Sequence, residues 1–242
     1  MKILIPTAKE LNLDLPEKAT VPLSPLSQAV LDELATYSVA DLEGFYKISP
    51  ERATEEYQRI QAMKKGEALY FPAIQLFDGL MYRHIKCQGL SAAEENYLQD
   101  QVLITSALYG VIPAYTAIAP HRLDFLMKLK VDGKSLKTYW KSAYDQEVAG
   151  EEVLISLLSS EFETVFSKEV RERMLTFKFM ENRDGKLKIH STISKKARGA
   201  FLTTMMEQQV QDVEMIKKLN FAGFSYREDL SSERELAFVK EV

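Results

Sequence analysis

The 242-residue sequence predicts an α/β fold, a mixed sheet with flanking helices and C-terminal hairpins. Three observations carry this. The apolar runs "ILI", "VLITS" and "VLIS" read as short buried strands. Between them lie stretches with apolar residues at helical spacing behind Ser caps. Toward the C-terminus, alternating segments meet at Asp184-Gly185, a hairpin signal.

Taken in order, "KILI" (2–5) is a strand broken by Pro6, and a polar, Pro-rich connector follows to about Ser27. "SPLSQAVLDELATY" is a helix with Leu26, Val30, Leu34 and Tyr37 on one face. Ser38 caps a second helix through Leu42 and Tyr46. Ser49-Pro50-Glu51 opens a third, with Ser as N-cap and Pro in the first turn, and Gly66 ends it. Residues 38–64 are thus a helix-turn-helix. "ALYFPAIQLFDGLMYRHI" reads as a strand and then a helix, interrupted by Pro72 and Asp78-Gly79. Ser91 caps the next helix. "VLITSALYG" is a strand ending at Gly110. "VLISLLSSEFETVF" repeats strand, hydroxyl turn and helix. "MLTFKFMENRDGKLKIHSTI" is a hairpin, "KKARGAFLTTMMEQQVQDVEMIKKL" one long helix, and "GFSYREDLSSERELAFVKEV" a second hairpin. No linker or repeat divides the chain, so one domain over 1–242 is expected.

Net charge is −4, which excludes a uniformly basic nucleic-acid binder, but the charge is uneven. Gly185–Met206 holds five Lys/Arg and no acid, whereas Asp145–Glu172 holds eight acids against Lys168 and Arg171. A cationic site on an acidic body is expected. The single cysteine, Cys87, excludes an internal disulfide and a CxxC motif. His84, His121 and His190 lack metal-ligand spacing. No cofactor or metal is expected, and Walker, GxGxxG and GxSxG loops are absent. "MKILIPTAKE" has too short an apolar run for a signal peptide, and no run approaches membrane-spanning length. The expected location is the cytoplasm, with no membrane partner.

The three strands share one kind of ending. "ILI" runs into Thr7 and Lys9, "VLITSA" into Tyr109 and Gly110, "VLISLL" into Ser159-Ser160-Glu161. Ligands of open α/β sheets collect beyond such carboxyl ends. If the strands are neighbours, their loops line one cleft. Lys195, Lys196 and Arg198 arrive where a helix begins, a position that itself prefers anions. An external anion belongs there. For each residue alone a bland role competes: Ser159 as a helix cap, Tyr109 as a packed ring, the cations as a solvated face. Asp78 and Glu161 are the acid/base candidates, without an assignment of catalysis.

Several segments, in one order from Ile3 to Lys240, resemble the YaaA family: "ILIPTAK", "SALYGVIPAYTAIAPHRL", "LSSEF", "SKKARG" and "FAGFSYREDLSSERELAFVK". The Leu-Tyr-Gly-Val and Lys-Lys-Ala-Arg-Gly pieces are the most specific. The resemblance implies an unusual α/β fold and a cytosolic bacterial protein of the hydrogen peroxide response that limits iron-driven damage. It also implies DNA binding through a cationic cleft and a helix-hairpin-helix. Carried over by position, the site residues are Lys9, Ser106, Tyr109, Gly110, Arg122, Ser159, Glu161, Lys195, Lys196, Arg198 and Gly199. The implied partner is DNA or a nucleotide-like anionic ligand; the alternative is an enzyme acting on a nucleotide, nucleobase or small phosphorylated substrate. The sequence departs from the family at Asp78 and Leu80, which replace a lysine and an acid, at His121, which replaces a tyrosine, and at Pro6-Thr7. The turn of the helix-turn-helix at 38–64, Ser49-Pro50-Glu51, lacks glycine, and Pro50 has no amide to offer a phosphate. This shifts the expected phosphate contact to 195–198.

Overall fold

The computed structural model describes all 242 residues. Nine strands form one mixed sheet: β1 (Lys2–Pro6), β2 (Val102–Ser106), β3 (Gly110–Pro113), β4 (Leu154–Ser156), β5 (Met174–Arg183), β6 (Lys186–Lys188), β7 (Asn220–Phe221), β8 (Phe224–Tyr226) and β9 (Glu235–Glu241). Their spatial order is β7-β8-β9-β5-β4-β1-β2-β3, with β6 on β5. The central five, β9, β5, β4, β1 and β2, are parallel, and the outer strands are antiparallel.

Both faces of this sheet are covered. Ile3 and Ile5 enter one apolar core and Leu4 the other, as the two-residue period of a strand requires. On the Leu4 face pack α1 (Pro25–Leu34), α2 (Val39–Tyr46), α3 (Pro50–Lys65) and, after α4, α5 (Leu136–Glu147); α4 (Ala92–Gln101) and the long α6 (Ser191–Glu207) cover the other. The helix starts follow the Ser caps. Ser38 and Ser91 each close a capping box, with Asp41 and Glu94, and Ser49 caps α3 ahead of Pro50. The ring of Phe201 on α6 packs against Phe177, Phe179, Phe221 and Phe238 of the sheet. That cluster sets the helix on the C-terminal half of the fold.

Several expectations are corrected. Gly110 does not end a strand. At φ +81° it turns the chain and opens β3, which folds back on β2, because its α-hydrogen faces the Trp140 ring where a side chain has no room. The "KLKIHSTI" strand stops at Lys188, since only three residues pair with β5. Helix α6 therefore starts at Ser191 behind His190, and Lys195, Lys196 and Arg198 stand past its first turn rather than at its start. It ends at Glu207, Gln209 takes a left-handed φ of +50°, and a separate short helix, Val213–Lys217, follows behind Asp212. The "ALYFPAIQLFDGLMYRHI" segment is neither a long strand nor a long helix. Pro72 cuts the strand to Phe71–Pro72, and Asp78-Gly79 divides a one-turn helix, Ala73–Leu76, from a 3-10 turn at Tyr82–His84. On α3, Glu56 is buried and ion-paired to Arg59, whereas Glu51 and Glu55 face solvent.

Candidate functional site

β4, β1 and β2 are adjacent and parallel, so their carboxyl ends open on one side of the sheet. A cavity of about 380 Å³ lies there. Its walls are the Pro6–Glu10 loop after β1, the Gly79–Tyr82 turn, the His121–Asp124 segment, the Ser159–Phe162 start of the helix after β4, and Lys195 and Arg198 of α6. Tyr82 Oη donates to the Pro6 carbonyl at 2.8 Å, tying the turn to the end of β1.

Two walls differ in charge. Lys195 and Arg198 make no ion pair, and neither does Arg122. Arg198 is half-buried, and burial pulls its guanidinium pKa down against the charge of Glu163; Glu163 forms no ion pair with it and accepts the Ser156 hydroxyl at 2.6 Å. An unpaired half-buried cation is costly and invites a counter-anion. On the opposite wall, Asp124 is buried. Its Oδ2 pairs with Lys9 Nζ at 2.8 Å and its Oδ1 accepts the Leu126 amide at 3.0 Å. Glu161 accepts the Phe125 amide at 3.0 Å, and burial followed by the neighbouring Asp124 charge raises its pKa. Ser159 precedes the Ser160–Glu163 helix without capping it, so its hydroxyl remains free at the cavity edge.

Lys9, Arg122, Ser159, Glu161, Lys195 and Arg198 are therefore brought together. Lys196, Ser106, Tyr109 and Gly110 are not. Lys196 lies on the other side of α6, in a different hollow. Ser106 is fully buried and uses all its hydrogen-bonding capacity. Its Oγ accepts the Leu108 and Tyr109 amides at 3.2 and 3.1 Å and donates to His121 Nε2 at 3.4 Å. Tyr109 Oη accepts the Ala119 amide at 2.9 Å and contacts Met63 sulfur. These residues shape the turn behind the cavity wall. Asp78 also stays outside; with Glu10 it holds Arg83 at the surface. Leu80 lines the cavity. Asp124 escaped the sequence reading, because only its burial and its contact with Lys9, distant in sequence, mark it out. Gly199 is a packing residue. A methyl there would overlap the Met81 carbonyl oxygen and come within 2.7 Å of His84 Cβ.

His121 donates Nδ1–H to the Ala119 carbonyl at 2.9 Å and is buried, which lowers its pKa to about 4. The unfolded chain, near 6.5, binds the proton more readily, so this contribution to stability is complete above about pH 6.5 and is lost as pH falls toward 4. The native state should lose about 3 kcal/mol from this group between pH 7 and 4. Urea unfolding of the protein and of His121→Gln across that range isolates it from the carboxylates; parallel pH profiles would refute the assignment. Cys87 is half-buried and its thiol is pushed up to about 11, so it is protonated near neutrality and a poor nucleophile toward peroxide.

The geometry defines a class: an α/β protein with a cleft at the carboxyl ends of parallel strands, cationic on its helix wall and carboxylate-bearing on the other. Within that class, the chain belongs to the YaaA family of peroxide stress proteins. The family profile described as "Peroxide stress protein YaaA" matches residues 1–230. Proteins called "UPF0246 protein" from Streptococcus pneumoniae strains CGSP14 and Hungary19A-6 are each 66% identical to it, and that from the serotype 19F strain G54 is 65% identical, in each case over 242 residues and the whole of both chains. No helix is long and apolar enough to cross a membrane.

Proposed function

We propose that the protein serves the peroxide response by binding DNA, or another phosphate-bearing ligand, in the cationic cleft. The observation that carries this is the convergence of Lys195, Arg198 and Arg122 on one cavity with no carboxylate paired to any of them. Phosphate oxygens satisfy such groups through charge-assisted hydrogen bonds. Under this reading, protection against iron-driven damage follows from occupying the nucleic acid. The helix-turn-helix contributes less. Its second helix opens with Ser49 Oγ already accepting the Arg52 amide and with Pro50, and it exposes Glu51 and Glu55.

Three neutralised phosphates give a log–log salt slope of about −2.7 on duplex DNA. Fluorescence anisotropy of a labelled duplex at several salt concentrations should show a slope at least that steep. Salt-insensitive binding, or none at low salt, would sink the reading.

A second reading, an enzyme acting on a nucleotide, nucleobase or small phosphorylated substrate, is favoured by buried Asp124 with its exposed partner Lys9, and by Glu161. Carboxylates in the cavity repel a continuous phosphate backbone but accept hydrogen bonds from a base or sugar. Glu161, whose pKa burial and then the Asp124 charge raise, is the carboxyl in the cavity placed for general acid or base work. A cavity of this size falls in the range of small-molecule sites. Under this reading a free mononucleotide raises the melting temperature, as any ligand of the native state alone does.

A further inference from the structure

We propose that the far side of α6 carries a second anion-binding hollow, and that a nucleic-acid strand crosses the helix to occupy it together with the cleft. This rests on the nucleic-acid reading above. The hollow, about 630 Å³, lies between α6, the β5–β6 hairpin and the C-terminal strands. Lys196, Arg183, Lys188 and Lys240 line it against a single acid, Glu181.

Strand register shows why these charges meet. Glu181 of β5 stands opposite Lys188 of β6 on one side and opposite Lys240 of β9 on the other. Directly paired residues project from the same sheet face, and so does Arg183 two residues along β5. Phe224, paired with Lys240, belongs to the core that α6 covers, so this face is the one over which Lys196 projects. Glu181 is committed to Arg183 at 3.0 Å, and Lys188, Lys196 and Lys240 form no ion pair. Like charges set side by side on a sheet destabilise it. Here the one acid, Glu181 between Lys188 and Lys240, stands against four cations, so a positive surplus remains. The cleft mixes cations with Asp124 and Glu161; this hollow is the more uniformly positive of the two.

The helix explains the division. At about 100° per residue, Lys195 and Arg198 lie roughly 60° apart, and Lys196 is rotated roughly 130° from their midpoint. A helix with its side chains is about 10–12 Å across. One phosphate group cannot touch both sides; a chain of phosphodiesters can. The three lysines are long, mobile and drawn from three separate elements, which suits backbone charge rather than one small anion.

The test uses the full protein and a triple variant, Lys188→Ala, Lys196→Ala and Lys240→Ala, with a labelled duplex oligonucleotide titrated at several salt concentrations. The salt slope should become shallower by about 2.7, and affinity near 0.1 M salt should fall on the order of 100-fold. The matching Lys→Arg triple should keep the wild-type slope, and near-wild-type melting of both triples shows that the fold survives. Unchanged slope and affinity in the alanine triple, with binding lost in Lys195→Ala/Arg198→Ala, would overturn the hollow and leave the cleft reading standing. If the wild-type protein binds no oligonucleotide at low salt, both fall.

Discussion

Gly199→Ala is expected to cost about 3 kcal/mol of stability, the upper end for forcing extra volume into a packed site. The obstacle is backbone. The Met81 carbonyl oxygen and the His84 carbonyl carbon, the latter 3.0 Å from the added methyl, cannot swing away as a side-chain tip can. Relief requires that α6 lift from the Tyr82–His84 turn. That turn is tied to β1 through Tyr82 and the Pro6 carbonyl, so its displacement also moves the cleft floor. For a chain of this length the loss corresponds to a melting temperature lower by roughly 9 °C. Gly44→Ala is the matched control. It lies in α2 with nothing within 4 Å of the added methyl, and the better helix propensity of alanine should leave stability unchanged or raised by up to about 1 kcal/mol. Differential scanning calorimetry of the two variants decides the matter; equal melting temperatures would show that α6 and the turn do not touch at Gly199.

Lys195→Ala combined with Arg198→Ala should weaken oligonucleotide binding about 100-fold, since each lost charge-assisted hydrogen bond is worth roughly 1.5 kcal/mol or more. The same change should leave the melting temperature unchanged or raise it. Arg198 is half-buried with no partner, and burial alone pulls its pKa down, so in the ligand-free protein its charge is a burden rather than a support. Arg198→Met keeps the apolar stem and removes only that charge. Weaker binding with equal or higher stability is the signature of a residue retained for its ligand. If Arg198→Met melts well below wild type yet binds normally, the arginine is structural and the cleft loses its main anion contact.

Much of this was legible in the residues. The Ser caps before α2, α3 and α4 are local chemistry, in which a hydroxyl meets an amide three residues on, and the structure closes each of them. The shared endings of β1, β2 and β4 predicted a common cleft; the three strands are adjacent, but only the loops after β1 and β4 line the cavity. The reading failed where a residue's role depends on which side of an element it faces. Ser106, Tyr109 and Gly110 sit at the right strand end but turn inward, with their hydrogen bonds and packing satisfied by the chain itself. Lys195 and Lys196 are neighbours in sequence and strangers in space.

The sequence by itself determined the apolar strands β1, β2 and β4, the Ser-capped helix starts and a surplus of cations around α6, because periodicity, capping and charge are properties of a few adjacent residues. Tertiary structure alone decided that Lys195 and Arg198 face Asp124 and Glu161 across one cavity, and that Lys196 joins Lys188 and Lys240 in another. Those meetings depend on the sheet's strand order and register, and on the rotation at which Gly199 lets α6 settle against its neighbours. Both are fixed by contacts between residues far apart in the chain.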